Sequence, residues 1–242
     1  MEYGQYSRDE VLQKIARTHA IAEDSFSSLD FREARFPEIL ITGCTFKNTD
    51  LGFADLTSAV VHGSRFYGVS LRRANMTQAD VKEVNFFGSD LIESNLHDAI
   101  LAKVRFEGSS LVNARCDTIR LSNALFVDTD LYAVRMPGAL VMHARFSDKR
   151  LGNTSLIRAD FRRALLMDVD LRDANLKDAN FEGAVLMNVD FSGANLSGAN
   201  LRGASLVNVK LFLANLDHAS LAGVGHAATS FEKASIQGTI WS

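Results

Sequence analysis

The chain has 242 residues, 47% of them hydrophobic and 23% charged, with a net charge of −3. This composition excludes a disordered chain, and the length suits one large domain or two small ones. The charge is too small to argue for a nucleic-acid or membrane partner, and no apolar run approaches the ~18 residues of a membrane span.

The first residues, MEYGQYSRDEVLQKIARTHA, hold no apolar signal-peptide core, so the chain is read as cytoplasmic. Ser7 followed by Glu10 is a capping-box signal. Val11, Leu12, Ile15 and Ala16 then fall on one helical face. This predicts a helix over about residues 8–20 within a tail and capping segment, 1–24. Its expected role is to cover a sheet edge that could otherwise pair with another chain.

From Phe26 to Trp241 every fifth residue is large and apolar, over 44 positions, with His226 the one exception. Neither the helical period of 3.6 nor the strand period of 2.0 gives this spacing. Two residues before each large position the chain is mostly small, as at Ala34, Cys44, Ala54, Ala174 and Ala199. Asp or Asn often stands between, as at Asp55, Asn75, Asn175 and Asn200. The unit is therefore A-(D/N)-(L/F)-x-x, and 25–242 reads as one repeat domain.

A second period of 20 overlies the first. Phe26, Phe46, Phe66, Phe86, Phe106, Phe126 and Phe146 form one column, continued by Leu166, Leu186 and Leu206. Four five-residue sides would then close one coil. The large residue and the small one two earlier point inward, because alternate residues share a face. Eleven coils stacked at the strand spacing of about 4.8 Å give a rod ~53 Å long. Glycines such as Gly63, Gly68, Gly183 and Gly203 sit two after a centre, where positive φ costs glycine nothing.

The motif, in one register over about nine tenths of the chain, resembles the pentapeptide-repeat family. That resemblance implies an all-β fold, a right-handed quadrilateral β-helix, here with a short N-terminal capping α-helix.

No catalytic residues are expected. The unbroken register leaves no loop to enclose a substrate, and no P-loop, GxSxG, HExxH or CxxC occurs. His62, His97, His143 and His218 point outward from different coils, so no metal site is expected, and no cofactor. Cys44 and Cys116 point inward more than three coils apart, too far for a disulfide.

Three surface features carry the functional expectation of a non-enzymatic scaffold or adaptor that binds another protein. The first is an apolar stripe just after the centres: Tyr67, Phe87, Val127, Met167 and Met187 on one side, Ile92, Val112 and Tyr132 on the next. Contiguous exposed apolar patches mark protein contacts. The second is an aspartate column, Asp30, Asp50, Asp90, Asp130, Asp170 and Asp190. The resemblance gives it an alternative meaning, since some pentapeptide proteins of the quinolone-resistance type mimic DNA with an acidic rod and modulate DNA gyrase. Against this, arginines such as Arg65, Arg105, Arg115 and Arg135 stand on the flanking sides. Members of that subgroup also carry loop insertions and a C-terminal dimerising segment, which this sequence lacks. The third is Lys149, in an inward slot where an unpaired ammonium is very costly, so a bulge is expected there. A secretion-system accessory or effector role is a further alternative that the resemblance allows. The degraded last repeats, with His226 at a centre, predict an uncovered end and a homodimer through the C-terminal coils. No direct nucleic-acid or membrane partner is expected.

Overall fold

A computed structural model describes residues 6–148, 152–153 and 155–241. The chain forms a parallel four-sided β-helix closed at its N-terminal end by one helix, α1 (Arg8–Thr18). The capping box is present. Ser7 Oγ accepts from the Glu10 N–H at 3.3 Å, and the Glu10 carboxylate accepts from the Ser7 N–H at 2.8 Å. The helix ends at Thr18, two residues before the expected limit, because His19 takes a left-handed cap at φ 51°. Val11 and Ile15 are buried on the first coil. Tyr6 lies 5.8 Å from the Phe26 ring and donates to Asp24, which also pairs with Lys14 at 2.6 Å. Coiling begins with the strand Ala20–Ala22, one side earlier than Phe26.

Four sides follow in order around each coil, called A to D here. Side A is an eleven-stranded parallel sheet whose centres run from Ile21 through Val141 and Leu166 to His226. Side B holds the Phe26–Phe126 column in a six-stranded sheet. Sides C and D are held by single parallel bridges, such as Asp50↔Ser70 and Asp55↔Asn75. Within the first six coils each rung pairs with the residue 20 positions on.

The interior is one continuous apolar cluster from Val11 to Leu221. The side-B phenylalanines stack with ring centroids 4.5–5.1 Å apart from Phe46 to Phe146. Rung spacing imposes this face-to-face arrangement, which isolated rings do not prefer. The small slots explain the alanine pattern: Ala54, Ala59, Ala74 and Ala79 have no exposed surface. Slot hydroxyls mostly donate to a carbonyl, although the buried Ser94 Oγ meets no partner among the described residues. Ser109 donates to Phe86 O at 3.2 Å and Thr129 to Val127 O at 3.0 Å.

Every corner residue with described torsions is left-handed, and most are not glycine. Glu33, Arg73 and Leu213 have φ of 58°, 56° and 58°, as Gly68 does at 58°. Left-handed backbone costs an L-residue about 1–2 kcal/mol. Hydrogen bonds between rungs offset it, for example Glu33 N–H to Gly52 O at 3.0 Å. Glycine is thus tolerated at corners and not required by them.

The unbroken register of the sequence conceals an insertion. Leu140, Val141 and Met142 pair with Leu165, Leu166 and Met167, 25 positions on. Asp130 likewise pairs with Ser155 and Arg145 with Asp170. One five-residue unit between Phe146 and Leu156 therefore adds no rung. Ser147–Asp148 and Gly152–Asn153 pair antiparallel beside it. An insertion of one whole unit preserves the period of five and shifts only the period of 20. The Phe column consequently continues into Leu171 and Phe191, while Leu166, Leu186 and Leu206 belong to side A. Lys149 lies outside the described residues.

Candidate protein-binding faces

The shift by one side redistributes the expected stripe. Tyr67 and Phe87 stand on side B, stacked at 5.0 Å with their planes 10° apart. Val127, expected to continue them, is buried at 1% exposure. Its strand, Leu125–Val127, lies beside Ser147–Asp148, so the surface that would expose it is covered. The stripe on side B thus reduces to two rings, followed in the next coil by Glu107, which pairs with Arg105 at 2.8 Å.

Side C carries a longer row. Ile92, Val112 and Tyr132 occupy successive rungs, and the shifted register adds Ile157. All four are half-buried. The Tyr132 hydroxyl accepts from Arg158 at 3.3 Å.

Met167 and Met187 fall on side A. There they join Met142 and Val207 in one row, Met142↔Met167↔Met187↔Val207. The parallel row on the same strands is Leu140↔Leu165↔Val185, ending at Ser205. Seven apolar side chains on four adjacent rungs thus form one contiguous apolar surface. Val185 is 38% exposed and the others half-buried. Nearer the N-terminus the same side is broken up by Asp80, Lys82 and Arg120. Sequence reasoning missed this surface because a step of 20 sets Leu140 beside Asp160 and Met142 beside Arg162. The signal was present in the local likeness of ALVM, ALLM and AVLM at 139–142, 164–167 and 184–187.

The two borders of this surface differ. On the corner leading into side A, Gly138, Gly183 and Gly203 leave out side chains, and a groove of about 700 Å³ results. Arg162, Arg163, Arg202 and Glu182 line it. Arg162 is held by both oxygens of Asp160, at 2.9 Å to Oδ1 and 2.8 Å to Oδ2. Arg163 and Arg202 form no ion pair among the described residues. The opposite corner is closed by a hydrogen-bonded ladder. Asn208 donates to Asn188 at 2.9 Å and Asn188 to Asp168 at 2.8 Å, with His143 at 3.6 Å from Asp168.

The aspartate column is also split. Asp30, Asp50, Asp90 and Asp130 share side C, interrupted by Ser70 and Ser110, whereas Asp170 and Asp190 lie on side B behind Arg145. Each carboxylate does local work. Asp50, Asp90, Asp130 and Asp190 accept from the backbone N–H two residues on, at 2.8–3.0 Å. Arg32 bridges Asp30 and Asp50, and its hydrogen bonds hold the Asp30 carboxyl below the usual range. Arg172 grips Asp170 at 2.7 Å.

Cys44 and Cys116 are free and buried, and burial pushes both thiols up. Among the described residues no group of His, Cys, Asp and Glu could hold a metal ion. No helix there is long and apolar enough to cross a membrane. At the C-terminal end Ile236, Ile240 and Trp241 are 47%, 51% and 45% exposed.

A family model described as pentapeptide repeats matches residues 49–88, 82–115, 164–203 and 190–225, more than half of the chain. A related model, the pentapeptide repeat region, matches 99–176. Among solved structures, HetL is similar over 98% of both chains, at 26% identity and a TM-score of 0.68. HetL is a pentapeptide repeat protein involved in heterocyst differentiation regulation from the cyanobacterium Nostoc sp. strain PCC 7120. A trypsin-treated form of QnrB1, a plasmid-mediated fluoroquinolone resistance protein, is 19% identical with a TM-score of 0.53, over 86% of this chain and 92% of its own. No curated protein sequence matches the chain.

Proposed function

Since the chain belongs to the pentapeptide repeat family, we propose that it is a non-enzymatic scaffold that binds a partner protein through side A. The observation that carries this reading is the pair of apolar rows begun by Leu140 and Met142. Apolar side chains contiguous over four rungs, rimmed by polar corners, have the composition of a protein contact. The sides of the rod are flat and their backbone groups are already bonded between rungs, so side chains alone make the recognition surface. The side-C row through Tyr132 is a smaller secondary contact.

An acidic-rod reading draws no support from the aspartates. Each accepts from the N–H two residues on, and Asp30, Asp50, Asp90 and Asp170 are paired with arginines.

The test is affinity capture from a lysate of the source cell. The baits are wild type, a side-A variant (Met167→Glu with Met187→Glu), and a variant of sides B and C (Tyr67→Glu with Tyr132→Glu). A partner captured by wild type, retained by the second variant and lost from the first supports side A. Retention by the side-A variant contradicts it.

The exposed end around Trp241 carries a separate proposal, self-association through the C-terminal coils. Its rings Phe231 and Trp241 lie edge to face at 5.6 Å, and Trp241 is 45% exposed. Light scattering at high concentration should give twice the monomer mass, and Trp241→Glu should abolish it. A monomer at all concentrations contradicts this.

A further inference from the structure

We infer that side A receives an acidic amphipathic helix lying along the rod, its apolar residues on the Leu140 and Met142 rows and its carboxylates in the arginine groove beside them. This rests on the reading of side A as a partner-binding face and adds the chemistry of the partner.

Three observations choose the occupant. The first is backbone satisfaction. Each rung of side A already pairs with the rungs on both sides of it, so an added strand finds no free N–H or C=O on this surface. Strand addition is possible only at sheet edges, whereas a helix needs no backbone partner.

The second is spacing. Rungs recur about every 4.8 Å along the rod. A helix turn rises about 5.4 Å. A helix parallel to the rod therefore places roughly one apolar residue over each rung, in the i, i+3, i+4, i+7 pattern of groove-bound helices. Over the four rungs from Leu140 to Val207 the two repeats drift apart by only about 2 Å.

The third is charge. One border of the apolar rows is the groove lined by Arg163 and Arg202, which hold no carboxylate among the described residues. Glu182 and the Asp160-bound Arg162 leave the groove net positive. The other border is the Asn208–Asn188–Asp168 ladder, whose groups are engaged with one another and whose basic side chain, His143, already faces the Asp168 carboxylate at 3.6 Å. The asymmetry calls for acidic residues on one flank of the helix only.

The probe is a labelled synthetic helix of about four turns, with Leu on one face and Glu along one flank. A second peptide replaces each Glu by Lys. Binding is read by fluorescence anisotropy against wild type, against Arg163→Glu with Arg202→Glu, and against Met167→Glu with Val185→Glu. All these positions are at the surface, and circular dichroism confirms that each variant folds. The acidic peptide should bind wild type, lose at least about tenfold in affinity with either variant, and weaken with salt. The Lys peptide should bind wild type at least about tenfold more weakly. Equal binding of both peptides, or no loss with the arginine variant, overturns the acidic assignment while leaving side A as a contact face. Failure of the acidic peptide to bind wild type overturns the helical occupant. Failure of the scaffold reading itself would show separately, as partner retention by the side-A variant in the capture experiment.

Discussion

Leu140 stands beside Leu165 and not beside Asp160. That displacement of one repeat unit decides the surface of the molecule. It aligns Leu140, Leu165 and Val185, and Met142, Met167 and Met187, on one side of the rod. Without it each row would meet charged residues.

If the unit between Phe146 and Leu156 adds no rung, it can be removed. Deleting residues 147–151 leaves Phe146-Gly152-Asn153-Thr154-Ser155-Leu156, an ordinary repeat with Asn153 at the corner. The shortened protein should keep its circular dichroism spectrum, with stability within about 1 kcal/mol of wild type by denaturant unfolding. Deleting 102–106 instead removes Phe106 and turns every later side by one position. A deletion of 147–151 that unfolds the protein would show that the unit is structural.

The fold was largely legible in the sequence, and the reason is steric. An inward slot accepts only a large residue at the centre and a small one two before it, so each rung writes its constraint at a fixed spacing. The capping box of α1 was legible for a similar reason, since Ser7 and Glu10 act locally. The site was legible only in part. Tyr67 with Phe87, and Ile92 with Val112 and Tyr132, were grouped correctly because both groups precede the inserted unit. Met167 and Met187 follow that unit, so a period of 20 puts them on the wrong side and separates Leu140 from Leu165. A five-residue insertion leaves no trace in a five-residue period. The abundance of non-glycine corners was equally hidden, because rung hydrogen bonds and not local preference stabilise them.

The phenylalanine column should dominate stability where it is stacked on both faces. Phe106 lies between Phe86 and Phe126 at 4.9 and 5.1 Å. Phe106→Ala should cost about 3–5 kcal/mol. Phe106→Leu should cost roughly half as much or less, since Leu171 and Leu211 fill the same column farther along. Urea unfolding of the two variants gives the comparison.

Asp90 should act through its acceptor atom and not through its charge. Its Oδ1 accepts from the Ile92 N–H at 2.9 Å, and Arg72 is 3.6 Å away. Asp90→Ala should cost about 1 kcal/mol, and Asp90→Asn much less because it retains the acceptor. Equal losses in the denaturation midpoint would give the charge the larger part.

Acid should weaken the Asp160–Arg162 pair. Burial pushes the Asp160 carboxyl up, but the Arg162 guanidinium and backbone N–H bonded to it outweigh that and hold it below the ordinary range. A carboxyl whose folded value lies below its unfolded one contributes stability above the unfolded value. That contribution is lost as pH falls through the folded one. Wild type should therefore be more stable than Asp160→Asn at pH 7, with the gap closing as pH approaches 3. A gap independent of pH would mean that the ion pair contributes nothing.

The most direct test of the register is a pair of engineered disulfides. Neighbouring rungs place Cα atoms about 4.8 Å apart, within disulfide reach. Met142→Cys with Met167→Cys should cross-link on mild oxidation, and Met142→Cys with Arg162→Cys should not, as read by the mobility shift under non-reducing electrophoresis. Cross-linking of the second pair and not the first would place Met142 in a period of 20 throughout, and the apolar face on side A would not exist.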